Sequence, residues 1–216
     1  MVYKVLRELY HRAFWGSRQY QLRRLLRDCE SVLDLGCGDN SPLQLLARIP
    51  NSVGVDIFPA ALSESRRKGV HDHYVQGDLR QLPFRDQCVD CVLLSHVVEH
   101  LTKVEACELL QRIECLAKKR MVLFLPNGFV WQDAYDGNPW QIHMSEWSVT
   151  DFKTLGYKVR GLSGLRQLKG YMSRVRYRPQ CIWKAMSHLT EVVVYFLPQF
   201  SFELLCVKDA EKDKAT

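Results

Sequence analysis

The stretch that most constrains this chain is Val32-Leu-Asp-Leu-Gly-Cys-Gly-Asp-Asn40. Its apolar residues predict a strand over 31–35, and Gly36 and Gly38 follow at once. Glycine lets the backbone turn sharply and approach a ligand where a Cβ would collide. A helix is predicted next, over 42–48. Strand, glycine turn and helix in this order predict the nucleotide-binding corner of an α/β sheet.

Acidic residues end the next two predicted strands. Asp56 closes the strand over 52–56 and lies 22 residues after Asp34. A carboxylate about 20 residues beyond such a turn is placed to accept both hydrogens of a ribose diol. Asp78 closes the following strand, over 74–78. The sequence therefore predicts a row of carboxylates along one edge of the sheet.

Predicted strands and helices alternate as far as residue 125. The continuous apolar run over 88–95 is typical of a central parallel strand. The alternation predicts a parallel sheet with helices on both faces. The other predicted elements are a helical lead-in over 1–30 that caps the sheet, helices over 59–68, 102–116 and 145–155, and strands over 121–125, 157–161 and 202–207.

The composition is that of one ordinary globular domain of 216 residues, 47% hydrophobic and 25% charged. No apolar run approaches the ~18 residues of a membrane span. Arg7, Arg12 and Arg18 interrupt any signal-peptide stretch. Eight cysteines without CxxC pairs predict reduced thiols, and neither a zinc site nor a disulfide framework. We therefore expect a cytoplasmic protein.

Four motifs stand at separations that match a known family. They are Val32-Leu-Asp-Leu-Gly-Cys-Gly38, Asp56, Gly77-Asp78-Leu79 and the stretch from Phe84 to Leu101. Together they resemble the class I S-adenosylmethionine-dependent methyltransferases, within them the branch of quinone-biosynthesis and other small-molecule enzymes. The resemblance covers about residues 30–161. It implies a Rossmann-like three-layer sandwich with a mostly parallel seven-stranded sheet and an antiparallel last strand.

The same resemblance implies that the cofactor is S-adenosyl-L-methionine. Asp34 and the backbone of Gly36 and Gly38 should hold its amino-acid end. The family often has a third glycine where this chain has Asn40, and asparagine tolerates positive φ better than most residues. We therefore expect the turn to survive this departure.

The remaining cofactor contacts follow by position. The resemblance implies that Asp56, with Ile57 beside it, binds the ribose hydroxyls. Asp78 and the backbone of Leu79 should face the adenine. Ser95, at the end of the fourth strand, should lie beside the sulfonium and the methyl group.

His96-Val-Val-Glu99-His100 matches the H-x-x-E-H pattern of some zinc proteases. That chemistry needs both histidines on one helical face, whereas here the pattern follows a strand directly. Some quinone and small-RNA 2′-O-methyltransferases resemble this segment with E-x-x-E-H and bind a divalent metal there. His96 replaces the first glutamate, and magnesium prefers oxygen ligands. We therefore predict no metal.

Two histidines are candidate catalytic residues. The resemblance places His96 beside the methyl group, and His143 falls in the loop after the fifth strand, at the ligand-binding edge. Either could take a proton from a hydroxyl as it is methylated. A loop histidine making an ordinary hydrogen bond is the alternative for His143.

The segment 160–190 contains no Asp or Glu but seven basic residues. It could be a surface for phosphate, an anionic membrane or nucleic acid, or simply a solvated basic face. Overlapping the end of this segment, residues 182–197 predict an amphipathic helix that serves as a lid, a packing element, a dimer contact or a surface for lipid-like substrates. The sequence leaves these alternatives open.

The predicted organisation is a lead-in over 1–30, a methyltransferase domain over 31–208 with inserts at 126–144 and 162–200, and a flexible tail over 209–216. The expected function is methyl transfer to a small or medium-sized acceptor, either a small molecule or lipid-like. Peripheral membrane contact is compatible with this. The alternatives are a ribose methyltransferase that tracks RNA with residues 160–184, and a non-catalytic binding module. The sequence predicts no oligomeric state.

Overall fold

Seven strands form a single sheet in the computed structural model, which describes Phe14 and residues 16–46, 48–134, 137–170 and 174–210. Nearly half of the predicted lead-in and most of the predicted tail lie outside these ranges. The strands are β1 Val32–Leu35, β2 Ser52–Asp56, β3 His73–Gln76, β4 Val89–Ser95, β5 Ala117–Pro126, β6 Lys158–Leu165 and β7 Ser201–Asp209.

The strands lie in the order β3-β2-β1-β4-β5-β7-β6. The pairs from β3 to β5 are parallel, whereas β7 runs antiparallel to both β5 and β6. The predicted α/β class, the seven strands and the antiparallel last strand are therefore confirmed. Because β7 is antiparallel, its first residues lie at the same edge as the last residues of β5.

The helices are α1 Arg18–Leu25, α2 Pro59–Lys68, α3 Lys103–Leu116, α4 Val149–Thr154 and α5 Gln180–Phe196. Gly69 ends α2 in the left-handed conformation, with φ 64°, as glycine after a helix commonly does. Thr102 opens α3 through a reciprocal capping box with Glu105. Local sequence signals thus set these helix ends.

Two predicted helices are shorter than expected. The prediction over 42–48 was wrong in extent, since the segment is one 3₁₀ turn, Pro42–Leu45, and Leu46 is already extended. The prediction over 145–155 began too early. Ser148 caps α4 through Asp151, while Trp147 is instead buried in the core.

Two apolar clusters hold the helices to the two faces of the sheet. On one face, the buried residues of α3 and the aromatic cluster Trp147, Phe152 and Tyr157 pack on β1, β4 and β5. On the other, Leu22 of α1 and Tyr195 of α5 pack on alternate residues of the same strands. This alternation is the consequence of the two-residue period of a strand. The result is a three-layer sandwich.

Two further sequence predictions concern membrane-spanning helices and the state of the cysteines. Within the residues that the structure describes, no helix is long and apolar enough to cross a membrane. All eight cysteines fall in the described ranges, and there all are free thiols.

Candidate active site

A hydrogen bond joins the glycine turn after β1 to Asp56 at the end of β2. Gly36 and Gly38 have φ of 68° and 53°, which is the left-handed region that favours glycine. The Gly38 amide donates to Asp56 Oδ2 at 2.8 Å, and the Phe58 amide donates to Oδ1 at 2.8 Å. Burial raises the pKa of Asp56. Because each carboxylate oxygen has two lone pairs, Asp56 keeps acceptor capacity for a ligand.

The two glycines are required for different reasons. A Cβ on Gly36 would lie 2.6 Å from Val97 Cγ2, so the protein itself fills that space. A Cβ on Gly38 would meet nothing closer than the Asn40 amide at 3.9 Å, so the space in front of Gly38 is open. Asn40 does not have positive φ, and its side chain instead accepts from Gln44.

Asp34 lies beneath the turn rather than at its surface. Its side chain is fully buried, and Oδ2 accepts from Ser41 Oγ at 2.5 Å and pairs with His71 Nε2 at 2.9 Å. A direct contact with the cofactor, as the resemblance implied, would therefore require the loop to move. Asp34 holds Ser41 in the loop that follows the turn, and its contact with the cofactor stays a prediction. The role of His71 was missed, because a spacing of 37 residues carries no local signal.

A cavity of about 300 Å³ opens beside the turn at the carboxyl edge. It brings together six of the ten predicted site residues: Gly36, Asp56, Ile57, Asp78, Leu79 and His96. The cavity lining does not include the other four predicted residues, which are Asp34, Gly38, Ser95 and His143. Ser95 is the last residue of β4 and is half-buried. Its opposite wall comes from the predicted insert and includes Asn138, Trp140 and Met144.

An arginine that the sequence reasoning passed over ties two walls of this cavity together. Arg80 pairs with Asp78 at 2.6 Å and with Glu105 at 3.1 Å. Its hydrogen bond lowers the pKa of Asp78. The guanidinium also lies 5.4 Å from the ring centroid of Trp140, within the range of a cation–π contact. Asp78 is therefore ionised and fixed in place.

His96 occupies a strained position among charged groups. It is one of four described non-glycine residues with positive φ, at 57°, a conformation that tends to mark functional sites. Its Nδ1 lies 3.2 Å from Glu99 Oε1, and its Nε2 lies 3.1 Å from Glu203 Oε1. Arg18 of α1 contacts both Glu203 and His96. Burial opposes charge on His96, but the two carboxylates outweigh it and raise its pKa to about 9.

Glu203 is the buried centre of this network. The side chain is 2% exposed, and Ser163 Oγ donates to its second oxygen at 2.8 Å. Burial alone would raise its pKa, but Arg18 and His96 lower it to about 2. Glu203 is therefore an anion, and His96 is its protonated partner.

His143 lies in a different environment. Its Nδ1 is 2.5 Å from the Val130 carbonyl, which can only accept, so Nδ1 carries the hydrogen and Nε2 carries the lone pair. Burial lowers the pKa of His143. The sequence predicted that either histidine could act as the base. Because only His143 is neutral at neutral pH, only His143 can accept a proton there.

Glu99, His100 and His143 bring ligand atoms within 4.8 Å of one another. The His100 Nδ1 hydrogen points to the Ile142 carbonyl at 3.2 Å, and the buried Glu99 Oε2 has no hydrogen-bond partner among the described residues. Nitrogen and oxygen ligands of this kind could hold a transition metal rather than magnesium. The prediction of no metal stays a prediction.

The chain is similar to known methyltransferases. Residues 33–122 match the family model described as a methyltransferase domain. A putative methyltransferase of Encephalitozoon cuniculi is 26% identical over 167 residues, which cover 73% of this chain and 76% of that protein. A probable S-adenosylmethionine-dependent methyltransferase of Mycobacterium tuberculosis is 33% identical over 92 residues. Those residues cover 41% of this chain and only 34% of the mycobacterial protein.

Solved structures share the whole architecture. A SAM-dependent methyltransferase from Archaeoglobus fulgidus superimposes with a TM-score of 0.55 over 93% of this chain and 98% of its own, at 21% identity. Sheet order, glycine turn and the family match over residues 33–122 together support the class I S-adenosylmethionine-dependent methyltransferase superfamily that the sequence predicted. The family match covers residues 33–122, which is less than half of the 216-residue chain, and it supports S-adenosylmethionine as the cofactor, as predicted. The small-molecule branch stays a prediction.

Proposed function

We propose that this protein transfers the methyl group of S-adenosylmethionine to a hydroxyl of a small or medium-sized acceptor. The observation that carries the proposal is the adjacency of a pre-formed cofactor cavity and a neutral, oriented histidine. The cavity ends at His96 and His100, and the His100 ring centroid lies 4.8 Å from that of His143. His143 thus lies next to the cavity, behind His100, and an acceptor that enters past His100 would approach it.

The described residues fit the cofactor in shape and chemistry. The open face of Gly38 admits its amino-acid end, and Asp56 offers acceptors to a ribose diol. Asp78 and Leu79 line the far end of the cavity, where an adenine would lie. Asp34 serves by positioning the turn rather than by contact. Ser95 ends β4 behind the cavity and sets the direction in which His96 leaves the strand.

The proposed mechanism uses the two histidines differently. When bound, the cofactor supplies a methyl group on a sulfonium, which leaves as a neutral thioether. His143 Nε2 would take the proton of the acceptor hydroxyl as that oxygen is methylated. Protonated His96 keeps its proton and serves as an orienting group held by Glu203. The protein otherwise contributes orientation and exclusion of water.

The test is calorimetric titration with S-adenosylhomocysteine. We expect one site per chain, and Asp56→Ala should weaken the affinity by roughly tenfold to a hundredfold, because it removes a charged acceptor. Asp86→Asn, which changes an exposed carboxylate outside the cavity, should leave the affinity unchanged. Absence of binding to folded wild-type protein would overturn the proposal.

Metal dependence separates this mechanism from its nearest rival. The proposal predicts that methyl transfer from tritiated S-adenosylmethionine to a small-molecule extract persists in EDTA. Loss of transfer in EDTA, restored by manganese or zinc, would make Glu99, His100 and His143 metal ligands instead.

Ribose methylation of RNA is the second candidate function, on the strength of the acid-free segment 160–190. RNA binding that falls steeply with salt would favour it. A non-catalytic module is the third candidate, and stoichiometric cofactor binding without any transfer would favour that.

A further inference from the structure

A second cavity, of about 680 Å³, lies at the same edge of the sheet beyond the histidines. Three cations and several aromatic rings line it. The residues that matter here are Phe129, Trp131, Arg166, Lys169, Arg176 and Phe202. Nothing in the proposed mechanism uses these cations.

The three cations differ from several arginines of this chain in forming no ion pair with a carboxylate of the described residues. Arg18, Arg48, Arg80, Arg112 and Arg120 all form ion pairs with acids. Within the described residues, Arg166, Lys169 and Arg176 have no acid within 4.0 Å, and 160–190 contains none in sequence. Glu191 and Glu203 act on Lys169 electrostatically from a greater distance. Three cations around one cavity nevertheless attract an anion.

The cations are held by the backbone around them. The Arg176 amide donates to the Leu168 carbonyl at 3.1 Å, and the Gly170 amide donates to the Arg174 carbonyl at 2.8 Å. These bonds join the segments that carry Lys169 and Arg176. The Arg166 guanidinium packs on Gly128, where a Cβ would lie 2.6 Å from Nη1. Backbone hydrogen bonds and packing thus hold the described segments that line the cavity against one another.

Lys169 is the most enclosed of the three. Burial lowers its pKa, and its Nζ lies 5.9 Å from the ring centroid of Phe202. A bound anion would relieve the cost of burying its charge. The neighbouring rings offer apolar contact to the rest of the same ligand.

Two connections join this cavity to the histidines. Val130, which lines it, accepts the hydrogen bond that orients His143. Phe202 precedes Glu203, whose carboxylate contacts His96. A molecule anchored here by one end would extend toward the site of methyl transfer.

We propose that this cavity binds a phosphate group of the acceptor, whose remainder is a ring or an apolar chain. A single cavity with three cations fits a compact phosphate better than a nucleic-acid strand. A strand would also use the exposed Arg174 and Arg178, which do not line the cavity. Calling the ligand the acceptor rests on the proposed function, whereas its binding does not.

The experiment is calorimetry with phenyl phosphate on the full chain, with S-adenosylhomocysteine present. We expect saturable binding that Arg166→Gln/Lys169→Gln weakens by roughly tenfold or more, because charge-assisted hydrogen bonds to phosphate are lost. Arg174→Gln is the matched control and should change the affinity by less than about twofold. Unchanged S-adenosylhomocysteine affinity in every variant verifies folding and separates this test from that of the cofactor.

Two arms distinguish the sources of the phosphate. If the source is a lipid headgroup, wild-type protein should bind vesicles that contain phosphatidic acid. The double variant should then lose that binding. Leu189→Glu, at an exposed apolar position of α5, should then weaken vesicle binding alone. If only phenyl phosphate responds to the double variant, the source is a soluble phosphate ester.

Three results would overturn the proposal. The first is absence of saturable phenyl phosphate binding to wild type. The second is an equal loss in Arg174→Gln, which would make the segment a diffuse basic face. The third is preference for a 12-nucleotide RNA whose affinity depends equally on Arg174 and on the cavity cations.

Discussion

The two halves of the ligand edge are built in different ways. On the cofactor side, at the ends of β1 and β2, the key contacts are backbone amides meeting a carboxylate 2 and 18 residues away in sequence. On the acceptor side, near the end of β5 and the start of β7, side chains from distant segments meet. Arg18 and Glu203 are 185 residues apart, and His96 and Glu203 are 107 residues apart.

This difference has a functional consequence. A site made of a glycine turn and backbone amides tolerates little change, and binds one cofactor. A site made of side chains from a loop, an insert and a last strand can be altered one residue at a time. The acceptor side is therefore where the specificity of this protein should lie.

The largest expected effect comes from the neutral histidine of the acceptor side. His143→Gln should lower the rate of methyl transfer about a hundredfold or more, because the acceptor loses its base. The affinity for S-adenosylhomocysteine should stay the same. Tritium transfer and calorimetry measure the two, and His73→Gln, at an exposed histidine, is the control.

The pH profile checks the role of His143 independently. Because burial lowers its pKa below the usual 6.5, the rate should be flat at neutral pH and fall only in more acidic solution. A rate that instead rises through pH 9 would assign the base to His96 and break the contrast between the two histidines.

The next effect concerns the charged network. Glu203→Gln should lower the free energy of unfolding by about 3 kcal/mol, because it leaves Arg18 and His96 without their buried anion. This value is at the low end of the cost of breaking a buried ion pair, because the partner side chains of Arg18 and His96 are 34% and 36% exposed. Urea unfolding measures the change. Glu114→Gln, which breaks the more exposed pair with Lys208, should cost less than about 1 kcal/mol.

His96 should make stability depend on pH. Its pKa in the folded protein is about 9, above the unfolded value of 6.5. Its contribution is therefore fully present below about pH 6.5 and is lost as the pH rises through 9. Urea unfolding between pH 6 and 10 should show this decline in wild type and less of it in Glu203→Gln. An identical slope in both proteins would contradict the pairing.

The smallest effect comes from the cofactor side. Arg80→Gln removes exposed ion pairs and the contact with Trp140, which stabilise little in water. The affinity for S-adenosylhomocysteine should fall by less than about threefold. A hundredfold loss would mean that Arg80 is a direct cofactor ligand.

The same contrast explains how far the sequence could be interpreted. The alternation of strands and helices and the edge residues Asp56 and Asp78 followed from periodicity and from motifs within about 50 residues, whereas the antiparallel last strand followed from the family resemblance. The shortened helix at Pro42–Leu45 could not be foreseen, because its apolar residues suit either structure. Helix α5, by contrast, was expected from its amphipathic pattern.

The acceptor side was less predictable for a physical reason. No local pattern shows that Glu203 reaches His96, or that His71 pairs with Asp34, because each contact joins elements brought together only by the sheet. The protonation of a histidine depends on these long-range neighbours. The sequence therefore named both candidate bases but could not choose between them.

The most direct test of the account is a crystal structure with S-adenosylhomocysteine. We expect the ribose hydroxyls at Asp56, the adenine between Asp78 and Leu79, and the sulfur near His96, with the Gly36–Gly38 turn shifted by less than about 1 Å. A ligand bound elsewhere, or a turn rebuilt so that Asp56 points away from it, would contradict the claim that this half of the edge is pre-formed for the methyl donor.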